Sequence, residues 1–373
     1  VGGAAGSAGA GGNGGAGGAV SCIRGLSSGY VVRTDGSLVY YIGSTVVLDQ
    51  ATGAPLVGVV ALQDGDYEGA GCAALPDGTV KCWWTRTDRT NVGQIGNGLT
   101  SGTVTTFHAT PVVVSGGAPL TGVHAMARGD YATASCALTT VGQVYCWGDL
   151  TWMVNNGTTL NTGFAQLLTT DGSTPLDGVV QLAAGNRQAC ALRAAGATNE
   201  VWCWGNASAY ELGQGDTVNH QYPVKVGGLT NPSMLALAAN NTSGGTINYA
   251  LATVCALDGG KVLCWGGNAS GSAGTKSSAA SVMTPTPVVD QSGTAIDNVV
   301  DIESGYAGFS VLRSDGTMWR WGANANNYAA NYGVTGVVAI GYGGDATFGP
   351  LFLTSDGTYR NRTTVVPVAC PAQ

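Results

Sequence analysis

Cys190–Gly205 reads CALRAAGATNEVWCWG, and Cys255–Gly266 reads CALDGGKVLCWG. In each, apolar and β-branched residues run into a glycine-bearing turn and out again, the pattern of a β-hairpin whose turn needs positive φ. The same phrase stands at Cys72–Trp84 (CAALPDGTVKCWW) and Cys136–Gly148 (CALTTVGQVYCWG). It recurs in altered form at Tyr30–Ile42 (YVVRTDGSLVYYI), Ser310–Gly322 (SVLRSDGTMWRWG) and Leu351–Arg362 (LFLTSDGTYRNR), making seven hairpins.

Before most hairpins lies another apolar run ending at glycine: Val179–Gly185 (VVQLAAG), Val299–Gly305 (VVDIESG) and Val337–Gly341 (VVAIG). Further short strands are predicted at Pro111–Val114 and Tyr222–Val226, giving about four per repeat. Seven repeats of about fifty residues with four strands each fit a radial array whose closure removes exposed edges. A β-sandwich leaves the sevenfold recurrence unexplained. The expectation is an all-β, seven-bladed β-propeller over residues 20–373, preceded by a Gly/Ala-rich arm at 1–19.

The repeated Cys-Ala-Leu, glycine turn and Cys-Trp-Gly, with ELGQGDT at Glu211–Thr217, resemble the regulator of chromosome condensation repeat. The resemblance covers roughly residues 20 to 373 and is clearest in the fourth and fifth copies; in the first, Tyr40, Tyr41 and Ile42 stand where Cys-Trp-Gly is expected. It implies a seven-bladed propeller. The family's eukaryotic founder exchanges nucleotide on a small GTPase and docks on chromatin, yet this chain shows no basic tail that would carry those activities over. Bacterial relatives are exported and include inhibitors of secreted enzymes, so the resemblance fixes a scaffold more than a role.

Charged residues make up 10% of the 373, the net charge is −7, and no run of Lys or Arg occurs. Electrostatic binding to nucleic acid or anionic lipid is therefore not expected. No apolar run reaches the roughly 20 residues of a membrane span. The ten cysteines point to an oxidising compartment, hence an extracellular or cell-surface location. The sequence begins at Val1 without a charged-then-apolar leader, and any export signal is expected to have been removed.

The cysteines come and go in pairs at facing hairpin positions: Cys72 with Cys82, Cys136 with Cys146, Cys190 with Cys203, Cys255 with Cys264. In the other three hairpins both positions are something else: Tyr30 with Tyr40, Ser310 with Arg320, Leu351 with Asn361. Cross-strand disulfides are the expected reading; a Cys-rich metal site would need nearby His and closer Cys spacing. Cys22 and Cys370 remain, one inside each end of the repeat region, and are expected to bond and lock the ring at its seam. A loop that long is worth roughly 5 kcal/mol on the chain-entropy account.

The three histidines, His108, His124 and His220, have no neighbouring acid or nucleophile that suggests a triad, and the glycine-rich runs lack a nucleotide-loop context. No catalytic residue and no cofactor are expected. Asp64, Asp66 and Glu68 alternate as oxygen ligands of a cation can, but without a full loop consensus; a solvated turn is the preferred reading and no metal site is expected. Trp83, Trp147, Trp204, Trp265 and Trp321 recur once per blade and are expected to pack between blades. The segments after Trp-Gly, at 85–110, 149–165, 206–222 and 267–285, are long and variable, and such insertions map to one face of a ring. Trp152, Met153, Tyr210, His220 and Tyr222 lie in or beside them as candidate binding anchors.

In the arm, Gly3, Gly6, Gly9, Gly12, Gly15 and Gly18 keep an unbroken period of three. That is the period of an extended left-handed helix, in which glycine permits close packing of neighbouring chains. A flexible tether is the plainer reading. The leading expectation is a non-enzymatic, exported structural protein that forms a homo-oligomer or polymer, its arm packing on adjacent copies. The alternative is a surface-tethered recognition module, adhesin-like or inhibitor-like, binding a protein or glycan through its loop face.

Overall fold

The computed structural model describes residues 30–365 apart from the segments 33–35, 41–44, 64–69, 86–92, 102–105, 128–133, 152–160, 186, 242–246, 270, 306–307, 323–324, 342–350 and 362–363. The described strands form seven sheets, and each sheet contains one of the seven hairpins. Blade 4 is typical: Val179–Ala184, Gln188–Ala195, Thr198–Gly205 and His220–Lys225 run as a four-stranded antiparallel meander. Blades 3, 5, 6 and 7 repeat it, and the first strands of blades 2 to 7 lie against one another in succession. Among the described residues no helix is long and apolar enough to cross a membrane.

The strand period of two decides what each hairpin presents to its neighbours. Facing cysteines point one way and the adjacent Trp points the other, so a disulfide of one blade packs on the Trp of the next. Cys72 and Cys82 meet Trp147, Cys136 and Cys146 meet Trp204, Cys190 and Cys203 meet Trp265, and Cys255 and Cys264 meet Trp321. All five recurrent Trp residues are buried. The core is thus six apolar clusters, one between each consecutive pair of blades.

Three of these Trp residues are also locked by backbone. Trp147 Nε1 donates to Gln94 O at 3.0 Å, Trp265 Nε1 to Glu211 O at 2.9 Å, and Trp321 Nε1 to Ser272 O at 2.8 Å. The acceptor always opens a three-residue phrase ending in glycine: Gln94-Ile95-Gly96, Glu211-Leu212-Gly213, Ser272-Ala273-Gly274. These glycines have φ of 68°, 68° and 64° and lie against the Trp of the next blade, so close that a Cβ on Gly274 would sit 2.7 Å from Trp321 Cδ1. In these blades the early part of the "variable" segment after Trp-Gly is therefore a blade clamp, and only the residues beyond the clamp are free to vary.

The fourth strands are finished by a second device. The strand expected at Pro111–Val114 is His108–Pro111; Val113 and Val114 leave it and run along blade 3, where Ala165 N donates to Val113 O at 2.7 Å. In the same way Leu48–Asp49 from blade 1 adds a parallel fifth strand to blade 2 at His108 and Ala109, and Ala329 N of blade 6 donates to Val289 O of blade 5 at 2.7 Å. The position that meets the preceding blade lies three residues before the one whose N–H bonds the third strand (Val112, Leu168, Val226, Val288, Tyr332). It is Ala109, Ala165 and Ala329 in blades 2, 3 and 6, but Pro223 and Pro285 in blades 4 and 5. Proline has no N–H to give, and among the described residues no strand of a preceding blade pairs there.

Candidate functional site

The four hairpin cysteine pairs are disulfides, with Cα atoms 4.1 Å apart across the register. Cys22 and Cys370 lie outside the described residues, as do the arm glycines Gly3, Gly6, Gly9, Gly12, Gly15 and Gly18, the acids Asp64, Asp66 and Glu68, and Trp152 and Met153. Tyr210, His220 and Tyr222 all belong to blade 4 and are each half-buried. Tyr210 sits in the clamp loop at φ 66°, its N donating to Ala207 O at 3.0 Å. His220 and Tyr222 share one face of the fourth strand, and the Tyr222 hydroxyl rests against Gly172 of blade 3. These residues are partly engaged in joining blades and partly presented to solvent.

Sequence reasoning missed the junction between blades 6 and 7, where a polar row stands beside the apolar cluster. In blade 5 one cross-strand row reads Ala236, Cys255, Cys264; in blade 6 the same row is Glu303, Ser310, Arg320. Asp301, two residues before Glu303, is on the same face. Burial, together with the nearby Asp301 charge, pushes the Glu303 carboxyl up to about 8; burial likewise raises Asp301. The Arg320 guanidinium stacks over Tyr332 at 5.5 Å. Glu303 and Asp301 are both half-buried, and this junction holds the Glu303 carboxyl toward its protonated form. The signal was available: among the described first strands only that of blade 6 carries acids at both alternate positions, which in the others hold Gln or small and apolar residues.

The equivalent of Asp301 in blade 4 shows what such a position does. Gln181 donates from Nε2 to Leu235 O at 3.0 Å and accepts at Oε1 from Leu235 N at 2.8 Å, closing the free backbone of the blade 5 first strand. Glu211, in the clamp between blades 4 and 5, is fully buried; its Oε2 accepts from Ala209 N at 2.7 Å, and burial pushes its carboxyl up to about 7. Among the described residues no three His, Cys, Asp or Glu side chains come together as a metal would need.

Seven sheets in succession, four of them stapled across their central hairpin by a disulfide and three of the junctions held by Trp clamps, define a β-propeller whose specialised positions lie between blades. The chain is an RCC1-like propeller: the family model for the regulator of chromosome condensation (RCC1) repeat matches residues 198–242, which span the blade 4 hairpin's second strand, its clamp and the next first strand. The mitochondrial RCC1 domain-containing protein RUG3 of Arabidopsis thaliana is 29% identical over 212 residues, which are 56% of this chain and 43% of that protein. The chain thus spans less than half the length of this curated relative. Among solved structures, human WBSCR16 superposes with a TM-score of 0.56 at 18% identity, over 78% of this chain and 74% of that one. Prp20p of Saccharomyces cerevisiae, studied for its binding to Gsp1p and histones, gives 0.55 at 18% identity, over 83% and 75%. At such identities the likeness is one of fold.

Proposed function

We propose that the chain is an exported, non-enzymatic structural protein that assembles with copies of itself, the Gly/Ala-rich arm packing on neighbouring subunits. The observation that carries this reading is the unbroken three-residue glycine period of the arm, joined to a propeller stapled by at least four disulfides. Disulfides that persist belong to an oxidising compartment, and a low-charge surface suits close association of like copies. Electron microscopy and size-exclusion chromatography of the purified full chain test it: ordered particles many subunits large are expected, and a monomer at high concentration sinks it.

A second reading is a recognition module that binds a protein or glycan through its loop face. Its support is that Tyr210, His220 and Tyr222 of blade 4 are each half-exposed, with His220 and Tyr222 on one face of the fourth strand. Glycan-array binding by a monomeric chain, lost on Tyr210→Ala, would favour it over assembly.

A further inference from the structure

Among the described residues, four that are not glycine hold positive φ: Phe107 at 57°, Tyr210 at 66°, Lys276 at 60° and Asn298 at 55°. That conformation is costly for a residue with a Cβ, and where it persists something in the fold holds it or something outside the fold uses it. Three of the four have a reason in the fold. Phe107 packs on Tyr40 in the cluster between blades 1 and 2, with ring centroids 5.6 Å apart. The Lys276 ammonium donates to Gln291 O at 2.7 Å, and asparagine, as at Asn298, visits the left-handed region readily. The Tyr210 side chain enters no hydrogen bond, ion pair or ring contact among the described residues.

The position itself is one that the fold gives to glycine. Tyr210 stands directly before the blade 4 clamp phrase, and its carbonyl accepts from Gly213 N at 3.0 Å. In the clamps of blades 2 and 5 the same place is Gly93 at φ 95° and Gly271 at φ 71°, whose carbonyls accept from Gly96 N and Gly274 N in the same way. There the next blade presses on the backbone: a Cβ on Gly93 would lie 2.2 Å from Thr162 O of blade 3, and one on Gly271 would lie 2.4 Å from Asn327 Cβ of blade 6. Blade 4 departs from both rules at once. It sets a side chain where the backbone suits glycine, and it leaves room for a ring that stays half-exposed.

The backbone on both sides of that ring is pinned. Tyr210 N donates to Ala207 O at 3.0 Å, the buried Glu211 carboxyl accepts from Ala209 N at 2.7 Å, and Asn219 Oδ1 accepts from Ala207 N at 2.9 Å. We infer that Tyr210 is a ligand-contact residue of a carbohydrate site on the blade 4 clamp loop, its strained backbone kept for the sake of a ring used outside the fold. The other exposed side chains of this loop are Ser208, Asp216, Thr217 and Val218, and Asp216 already accepts from Val218 N at 3.0 Å. A phenol ring and two hydroxyls with one charge among them match a neutral, polyhydroxylated ligand. The ring covers the apolar face of a sugar, and the hydroxyls exchange neutral hydrogen bonds with it.

This site rests on the recognition reading above, and one set of full-length variants separates the two. Wild type, Y210G and Y210A are compared on an array of neutral glycans and in thermal melts. Glycine accepts this φ without strain, so Y210G is expected to melt at or above the wild-type temperature while its glycan binding falls by about 10-fold or more. Y210A loses the ring and keeps the strain, so it binds as poorly as Y210G and melts below it. Y210A melting as high as Y210G shows that there is no strain to release and overturns the inference. So does a Y210G that melts well below the wild type, because the ring is then packing that the fold needs. If the wild type binds a glycan and Y210G binds it equally, Tyr210 is no part of the site and the recognition reading stands without it. A wild type that binds no glycan overturns both.

Discussion

Replacing Gly274 by Ala tests whether the clamps hold the blades together. The residue sits at φ 64°, a region that costs a residue with a Cβ about 1 kcal/mol or more. The new Cβ would stand 2.7 Å from Trp321 Cδ1, 2.8 Å from its Nε1 and 2.9 Å from Val288 Cγ1. Both neighbours are buried, so the Trp ring has to shift. Overpacking of this kind costs roughly 1–3 kcal/mol, and weakening the Trp321 bond to Ser272 O forfeits about 1 kcal/mol more. The expected loss is about 3–5 kcal/mol. Gly196→Ala is the internal reference: its φ is 74°, nothing lies within 4 Å of its Cβ position, and it is exposed, so only the backbone cost of about 1 kcal/mol applies. Urea denaturation of both variants with disulfides intact measures the difference. Equal midpoints for the two would show that the glycine–tryptophan contact does not couple the blades.

Removing one staple, as C136A/C146A, is expected to cost about 3 kcal/mol for a loop this short while leaving the other blades folded, read from thermal melts with and without reductant. Burial pushes Glu303 up to about 8 in the fold against an ordinary 4.5, so the folded state binds the extra proton: the contribution of this group to stability is fully present below about 4.5 and is lost through the window up to about 8, by up to about 1.4 kcal/mol per pH unit. Glu303→Gln should flatten that fall, and a wild-type stability that rises between pH 5 and 8 in parallel with the variant's contradicts the assignment. Pro285→Ala returns an N–H to an edge that no described strand covers, so light scattering should show more edge association with stability changed by less than about 1 kcal/mol.

The hairpins were legible because turn chemistry and strand period are local. Asp-Gly or Gly-Gly between β-branched runs needs no tertiary information, and paired substitution at Cys136 and Cys146 or Ser310 and Arg320 already reports a facing register. The clamp glycines were not legible. Gly96, Gly213 and Gly274 sit in segments whose lengths differ, and their constraint comes from a Trp about fifty residues further along. Pro223 and Pro285 were in view, but what they forbid depends on a neighbouring blade. The acid pair Asp301 and Glu303 shows the same limit: alternation places both on one face, and only the stacking of blades shows that this face is interior.

The strand that one blade lends to the next makes the boundary between repeats in sequence different from the boundary in space. A cut between blades 1 and 2, 2 and 3, or 5 and 6 takes a hydrogen-bonded segment away from the blade that stays behind. The joints entering blades 4 and 5 lend nothing among the described residues, because proline has closed the receiving edge. New termini, a duplicated blade or an inserted domain should therefore be accepted at those two joints and resisted at the other three, which makes the middle of this ring the place where its length can evolve.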